Sequence, residues 1–427
     1  MNIEVKKIGK GKTLGIIGTD KFKFNYLGLN FLLPKTEENI ASAVILARVL
    51  ARGSEKYPDI KSINKKLGML YGANISFTAG DYGDKFSLKI CASFLDGQFL
   101  PKGEKLDILG EMTEVIYQLL AHPIVENGGL SAEYTAQEKK FQTDKIKAQI
   151  NNKDLYAMKR FASVVYEGTP MRHDMDGTIE SIGAVTPSGI YALLGEILKN
   201  SRLEAVYAGR ATEEVENTLV SFIEKLCPDR NAPMELCAPK IDVRRYDEVR
   251  EVYEEVSAKQ GRMVLSYTIP GYDPEISGVE VFNHIFGASP ISRLFVNVRE
   301  RLQLCYYCMS SASTAMGLMT VRSGLDIEKK AVAIEEIERQ LKLLCEASNV
   351  SEEELDAAKL DICGSLTSLE DNINNLAEWY LTRTMYARHV DLEKCKRTVN
   401  AVTAEDIAKA ARGCKLNVSY FLHGTEK

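Results

Sequence analysis

Ile182-Gly183-Ala184-Val185-Thr186-Pro187-Ser188-Gly189-Ile190 and Val399-Asn400-Ala401-Val402-Thr403-Ala404-Glu405-Asp406-Ile407 are one passage written twice, about half the chain apart. Each sets a threonine, a good helix N-cap, in front of a helical pattern. Each then runs into a short strand of apolar alternation that stops near glycine, Leu203 to Gly209 in the first copy and Leu416 to Gly424 in the second. A repeat of that period in 427 residues predicts two copies of one domain-sized unit. The fronts of the halves correspond as well. Tyr26 to Leu33 and Met263 to Ile269 read as strands, followed by apolar helices at Ile40 to Ala51 and Val279 to Phe286. A second helix and strand follow each, Ile63 to Phe77 matching Leu294 to Ser311 in pattern. The expected fold class is α+β, with two homologous halves, each an antiparallel sheet with helices packed on one face.

The halves span 1–226 and 247–427, joined by a linker at 227–246 that is rich in Pro, Asp and Arg and has no helical period. Long helical runs fill Ser131 to Tyr166 and Glu328 to Leu344, and the polar stretch Pro101 to Leu130, around one helix at Leu106 to Leu120, reads as an insertion. Composition is that of a folded chain, with 45% hydrophobic and 26% charged residues. Lys plus Arg number 54 against 59 Asp plus Glu, so the net charge of -5 gives no general attraction to nucleic acid or an anionic membrane. No run of roughly 18 to 20 apolar residues is present, and the start, Met1 to Lys7, lacks a signal peptide's apolar segment. Nine scattered cysteines do not form a dense disulfide framework. A cytoplasmic, reducing setting is the expectation.

Few residues offer chemistry on their own. The five histidines, at 122, 173, 284, 389 and 423, include no pair at the i, i+3 or i+4 spacing that puts two imidazoles on one metal. His173 lies in a loop of turn formers, and His284 in an apolar helix where it reads as a hydrogen-bonded core residue. Cys305-Tyr306-Tyr307-Cys308 has the C-x-x-C spacing but falls at the start of a strand, where residues three apart point to opposite faces. That argues against redox or metal use. Gly287-Ala288-Ser289-Pro290 lacks the pattern and the lysine of a phosphate cradle, and the charges from Glu328 to Arg339 read as a solvated helix face.

The helix from Ala41 to Pro58, ASAVILARVLARGSEKYP, resembles the zinc-binding helix of the insulinase/pitrilysin family of H-x-x-E-H peptidases, whose run is close to G-L-A-H-F-L-E-H-M-L-F-K-G-T-x-x-Y-P. Ala43, Leu46, Leu50, Gly53, Lys56, Tyr57 and Pro58 match in register, while Val44 and Arg48 stand at the histidine positions and Ala47 at that of the glutamate base. Valine and alanine cannot ligate zinc or move a proton, and arginine would repel the metal. The family's third ligand lies in a run like E-K-E-V-I-L-E-E-I, similar here to Glu138 through Ile146 with Lys145 at the ligand position. Gly168 to Ile182 resembles the family's G-T-x-E-S-I loop, and Ser289 to Tyr306, SPISRLFVNVRERLQLCY, resembles its S-x-x-S-R-L-F-x-x-V-R-E-x-x-G-L-A-Y motif.

In active members the Arg and Tyr of that motif hold substrate carbonyls and assist the oxyanion, and Arg299 and Tyr306 occupy their positions. The resemblance therefore implies a noncatalytic, substrate-binding subunit of a heterodimeric zinc peptidase, forming half of a clamshell. The chain alone is expected to be inactive and to bind no metal or cofactor, with zinc carried only by a homologous H-x-x-E-H partner. The implied partners are that chain and an extended peptide, not nucleic acid or a membrane, with a homodimer as the alternative when the partner is missing. The alternative function is a structural or assembly protein that has the peptidase fold and takes no part in proteolysis.

Overall fold

The computed structural model describes residues 2–228, 235–236, 243–270 and 278–424. Within the expected linker at 227–246, residues 229–234 and 237–242 lie outside the described residues. The first sheet is built from β1 (Asn2–Gly9), β2 (Lys12–Gly18), β3 (Phe24–Pro34), β4 (Asn74–Tyr82) and β5 (Lys85–Leu95). After the two-residue hairpin strands β6 (Val125–Glu126) and β7 (Gly129–Leu130), β8 (Arg202–Gly209) returns to complete it. The second contains β9 (Arg250–Glu255), β10 (Gly261–Thr268), β11 (Cys305–Ser313), β12 (Leu318–Leu325) and β13 (Lys415–His423).

The strand orders are β1-β2-β8-β3-β5-β4 and β11-β12-β10-β13-β9. Read from its other end, the second sheet repeats β2-β8-β3-β5-β4 strand for strand. All pairings are antiparallel except β2 with β8 and β9 with β13, the same pair in each copy. Among the described residues, β1 has no counterpart in the second sheet.

The duplicated passages set this topology. Val185 and Val402 close one helix with φ/ψ of -62/131° and -63/136°, and Thr186 and Thr403 cap the next from extended backbone. Thr186 accepts from the Gly189 N–H and Thr403 from that of Asp406, satisfying donors the first turn leaves open. The capped helices, Pro187–Asn200 and Ala404–Arg412, lead directly into β8 and β13. Lys139 adds a tether in the first copy, donating to the carbonyls of Gly183 at 2.7 Å and Val185 at 2.6 Å.

The chain forms two compact units that are discontinuous in sequence. One comprises Met1–Lys147, His173–Cys237 and Leu369–Met385, the other Ala148–Arg172, Ala238–Ser368 and Tyr386–Lys427. In the first unit, Leu27, Leu29, Phe31 and Leu33 of β3 bury one sheet face against the helix Glu37–Leu50 and its neighbours. The opposite face carries Tyr26, Asn30 and Lys89 and is covered by the helix Ile373–Met385. Lys89 forms an ion pair there with Glu378, and Tyr380 packs so closely over Gly15 that a Cβ at that position would overlap its phenol.

The second unit does the same with the helix Lys153–Val165. Ala157, Phe161 and Val165 pack on Val264, Val418 and Tyr420. Tyr156 and Arg160 donate to Glu254 at 2.7 and 2.8 Å, and Tyr420 donates to the same carboxylate at 2.9 Å. The helical run expected from Ser131 to Tyr166 is thus two helices, Ala132–Ala148 and Lys153–Val165. They are separated by a 3₁₀ turn and a fresh cap at Asn152, whose side chain accepts from the Leu155 N–H.

Two predictions follow from the packing and the caps. Gly15→Ala forces a methyl into Tyr380 and should cost about 1–3 kcal/mol, whereas Gly68→Ala, in a helix with open space around it, should stabilise by about 0.5–1 kcal/mol. Urea unfolding of the two variants beside wild type measures both. Thr186→Ala and Thr403→Ala should each cost about 1 kcal/mol, and a neutral result at both would show that the two caps do not hold their helices.

Candidate functional site

The helix Glu37–Leu50 starts where Thr36 accepts from the Asn39 N–H, with Glu37 and Glu38 complementing the helix dipole. Three of the four positions that the resemblance assigns to the zinc motif lie on it. Val44 and Ala47 point into the apolar cluster, at 9% and 2% exposure. Arg48 turns aside, with its guanidinium 4.5 Å from the centre of the Phe141 ring and Nη1 3.6 Å from Glu138 Oε2.

Arg52, one turn on, donates from Nε to Glu138 Oε1 at 2.8 Å. Glu138 is 5% exposed, so two guanidiniums compensate one buried carboxylate. Lys145 pairs with Asp176 Oδ1 at 2.5 Å, beside Gln142, whose amide donates to the Asp176 carbonyl at 2.9 Å. The region is therefore filled by apolar packing and internal ion pairs. Among the described residues no three His, Cys, Asp or Glu side chains converge as metal ligands. Sequence reasoning missed Glu138 and Arg52 as members of this network. The available signal was the i, i+4 spacing of Arg48 and Arg52, which puts both cations on one helix face.

Arg299 and Tyr306 are brought together by three local departures from regular structure. First, Leu294–Arg301 is wound as a π-helix, with the Leu302 N–H donating to the Asn297 carbonyl five residues back. Arg293 anchors this helix through two bonds to Glu354, at 2.7 and 2.8 Å. Second, Gln303 turns the chain with φ of 50°, a left-handed conformation uncommon outside glycine. Third, β11 carries a bulge. Cys305 lies opposite Leu325 and Tyr307 opposite Gly324, which leaves Tyr306 as the extra residue.

The bulge turns the Tyr306 ring outward to 54% exposure, where its hydroxyl donates to Asp326 Oδ1 at 3.1 Å. Lys329 lies 3.1 Å from the other oxygen, and the bonds from Lys329 and Tyr306 hold the Asp326 carboxyl below the usual carboxylate range. The Arg299 guanidinium stands 4.6 Å from the Phe295 ring centre and 3.5 Å from Glu300. A cavity of about 350 Å³ is lined by Arg299, Glu300, Cys305, Tyr306, Asp326 and Lys329. Guanidinium and phenol are strong donors and suit carbonyl or oxyanion oxygens.

The same bulge corrects the expectation for Cys305 and Cys308. One inserted residue shifts the alternation, so both thiols lie on the face shared by their cross-strand partners Leu325 and Ser323. His284 is less buried than expected, with 17% of its side chain exposed, and its Nε2 lies 2.7 Å from Asp361.

Residues 185–361, beginning in the first copy of the duplicated passage, match the family described as the Peptidase M16 inactive domain. The chain is 26% identical to the probable inactive metalloprotease YmfF of Bacillus subtilis (strain 168), over 99% of this chain and 98% of that protein. Its fold is shared by a conserved protein from Enterococcus faecalis V583, with a TM-score of 0.90, 24% identity and full coverage of both chains. It is also shared by a peptidase M16 inactive domain from Pseudomonas fluorescens, with a TM-score of 0.80 and 17% identity over 100% of this chain and 99% of that one. Residues 185–361 thus match the M16 inactive domain, and across nearly its whole length the chain is similar to a probable inactive metalloprotease, in keeping with the insulinase/pitrilysin resemblance.

Proposed function

We propose that this chain is the noncatalytic, substrate-holding subunit of a two-chain zinc peptidase of the M16 family. The observation that carries the reading is a contrast between its two motif regions. Val44, Ala47 and Arg48 are absorbed into core packing and an ion-pair network, whereas Arg299 and Tyr306 line one open cavity.

In this reading a homologous chain supplies H-x-x-E-H, its zinc and the general base, and the two chains enclose a chamber. An extended peptide adds as a strand to a sheet edge such as that of β4, the terminal strand of the first sheet. Backbone pairing of that kind recognises extended conformation more than a side-chain sequence. Arg299, held over Phe295, presents N–H donors to carbonyl oxygens and to the negative charge that would develop at the scissile carbonyl, and the Tyr306 O–H, which donates to Asp326 in the free chain, would turn from that carboxylate to join it. Holding the guanidinium over Phe295 before the peptide arrives limits reorganisation at the moment of reaction.

The test is zinc content and peptidase activity of this chain alone, and then of its mixture with a homologous H-x-x-E-H chain. The expected result is neither zinc nor cleavage alone, and cleavage in the mixture. Arg299→Ala should lower that cleavage by roughly 10²-fold, the scale of losing one oxyanion donor, with kcat falling more than KM rises. Cleavage by this chain alone would overturn the proposal. Activity in the mixture indifferent to both Arg299→Ala and Tyr306→Phe would assign the chain to a scaffold role instead.

A further inference from the structure

The cavity that holds Arg299 and Tyr306 also holds a cysteine, and the bulge that exposes Tyr306 gives that cysteine a partner. In a regular strand, Cys305 and Cys308 would lie on opposite faces. In β11 they sit two ladder positions apart on the same face, opposite Leu325 and Ser323. Cys305 is partly exposed in the cavity wall, while Cys308 lies behind it at 3% exposure. We infer that Cys305 and Cys308 form a redox-active dithiol site that reacts with hydroperoxides, with Cys305 as the attacking thiolate and Cys308 as the resolving thiol.

The surroundings fit this division of labour. A hydrogen bond with Cys308, another with Ser323, and the cations of Arg299 and Lys329 push the Cys305 thiol down to about 7. Glu300 and Asp326 are the acidic groups on the same cavity wall, and Asp326 is already engaged by Lys329 and Tyr306. The bond with Cys305 and burial hold the Cys308 thiol well above its ordinary value, so it keeps its proton until a neighbouring sulfur becomes electrophilic. Elsewhere burial pushes the thiols of Cys91, Cys345 and Cys414 upward, away from reactivity.

The chemistry balances in two steps. The Cys305 thiolate attacks one peroxide oxygen, the O–O bond breaks, and the departing hydroxide takes up the proton lost by the thiol to give water, leaving Cys305 as a sulfenic acid. The Cys308 sulfur then attacks the Cys305 sulfur. The S–S bond forms as the S–O bond breaks, and hydroxide leaves with the Cys308 proton as a second water. One hydrogen peroxide is reduced and two thiols are oxidised. The disulfide fastens the bulge that aims Tyr306, although this reactivity stands whether or not the chain holds a peptide substrate.

The test uses the reduced full-length chain and hydrogen peroxide, read by intact mass and peptide mapping. The expected product has lost two hydrogens within the peptide containing Cys305 and Cys308, and dithiothreitol restores them. Cys305→Ser should abolish the product, and Cys308→Ser should leave a sulfenic acid on Cys305 that dimedone traps. Independently of any variant, iodoacetamide labelling of wild-type Cys305 should rise with pH to half its maximum near pH 7, and at neutral pH should exceed the rate of an ordinary thiol on the order of ten-fold. Lys329→Gln should move that midpoint upward. Labelling of Cys305 no faster than that of Cys363, or peroxide treatment that yields no bond between Cys305 and Cys308, would overturn the inference.

Discussion

A sheet with polar side chains on a face that folding buries needs a cover bringing the matching charges, and both sheets of this chain meet that constraint with a single helix. On the first, Lys89 is answered by Glu378 of the helix Ile373–Met385. On the second, Glu254 is answered by Tyr156 and Arg160 of the helix Lys153–Val165. An ion left unpaired in such a place would cost several kcal/mol. Each covering helix comes from the other half of the sequence from the sheet it seals. The compact units are therefore discontinuous because of a charge requirement as much as an apolar one.

Much of this architecture was legible because duplication writes the same instructions twice. The Ala-Val-Thr passages revealed the caps at Thr186 and Thr403, the helices behind them and the strands they feed. Apolar alternation identified β3 and β10 within a few residues of their ends. The covering helices were visible as helices but not as covers, since periodicity reports which face is apolar and not which sheet receives it. Nor did periodicity separate π winding from α winding at Leu294–Arg301, because both bury the same few residues of so short a segment.

The candidate site was legible in its residues and illegible in its geometry. Arg299 and Tyr306 stood out through the motif around them, yet their approach depends on the π-helix, the left-handed Gln303 and the bulge. None of these has a composition signature here: Gln303 is not glycine, and the bulge falls between cysteine and tyrosine. The same bulge reversed the expectation for Cys305 and Cys308, since one extra residue is enough to exchange the faces of every side chain that precedes it. At the other motif the sequence showed what was missing, and the structure shows what fills the place. A carboxylate clasped by Arg48 and Arg52 makes that region a structural brace.

β1 extends the first sheet by one strand, and its absence from the second among the described residues leaves the outer edge of β9 open. Open edges invite another chain to pair. Along β9 the exposed positions include Glu251 and Glu255, so two copies meeting edge to edge there would bring glutamates close to glutamates. The half of the chain that did not gain an extra strand guards its border with charge instead, and self-association along that edge carries an electrostatic penalty that weakens as salt is added.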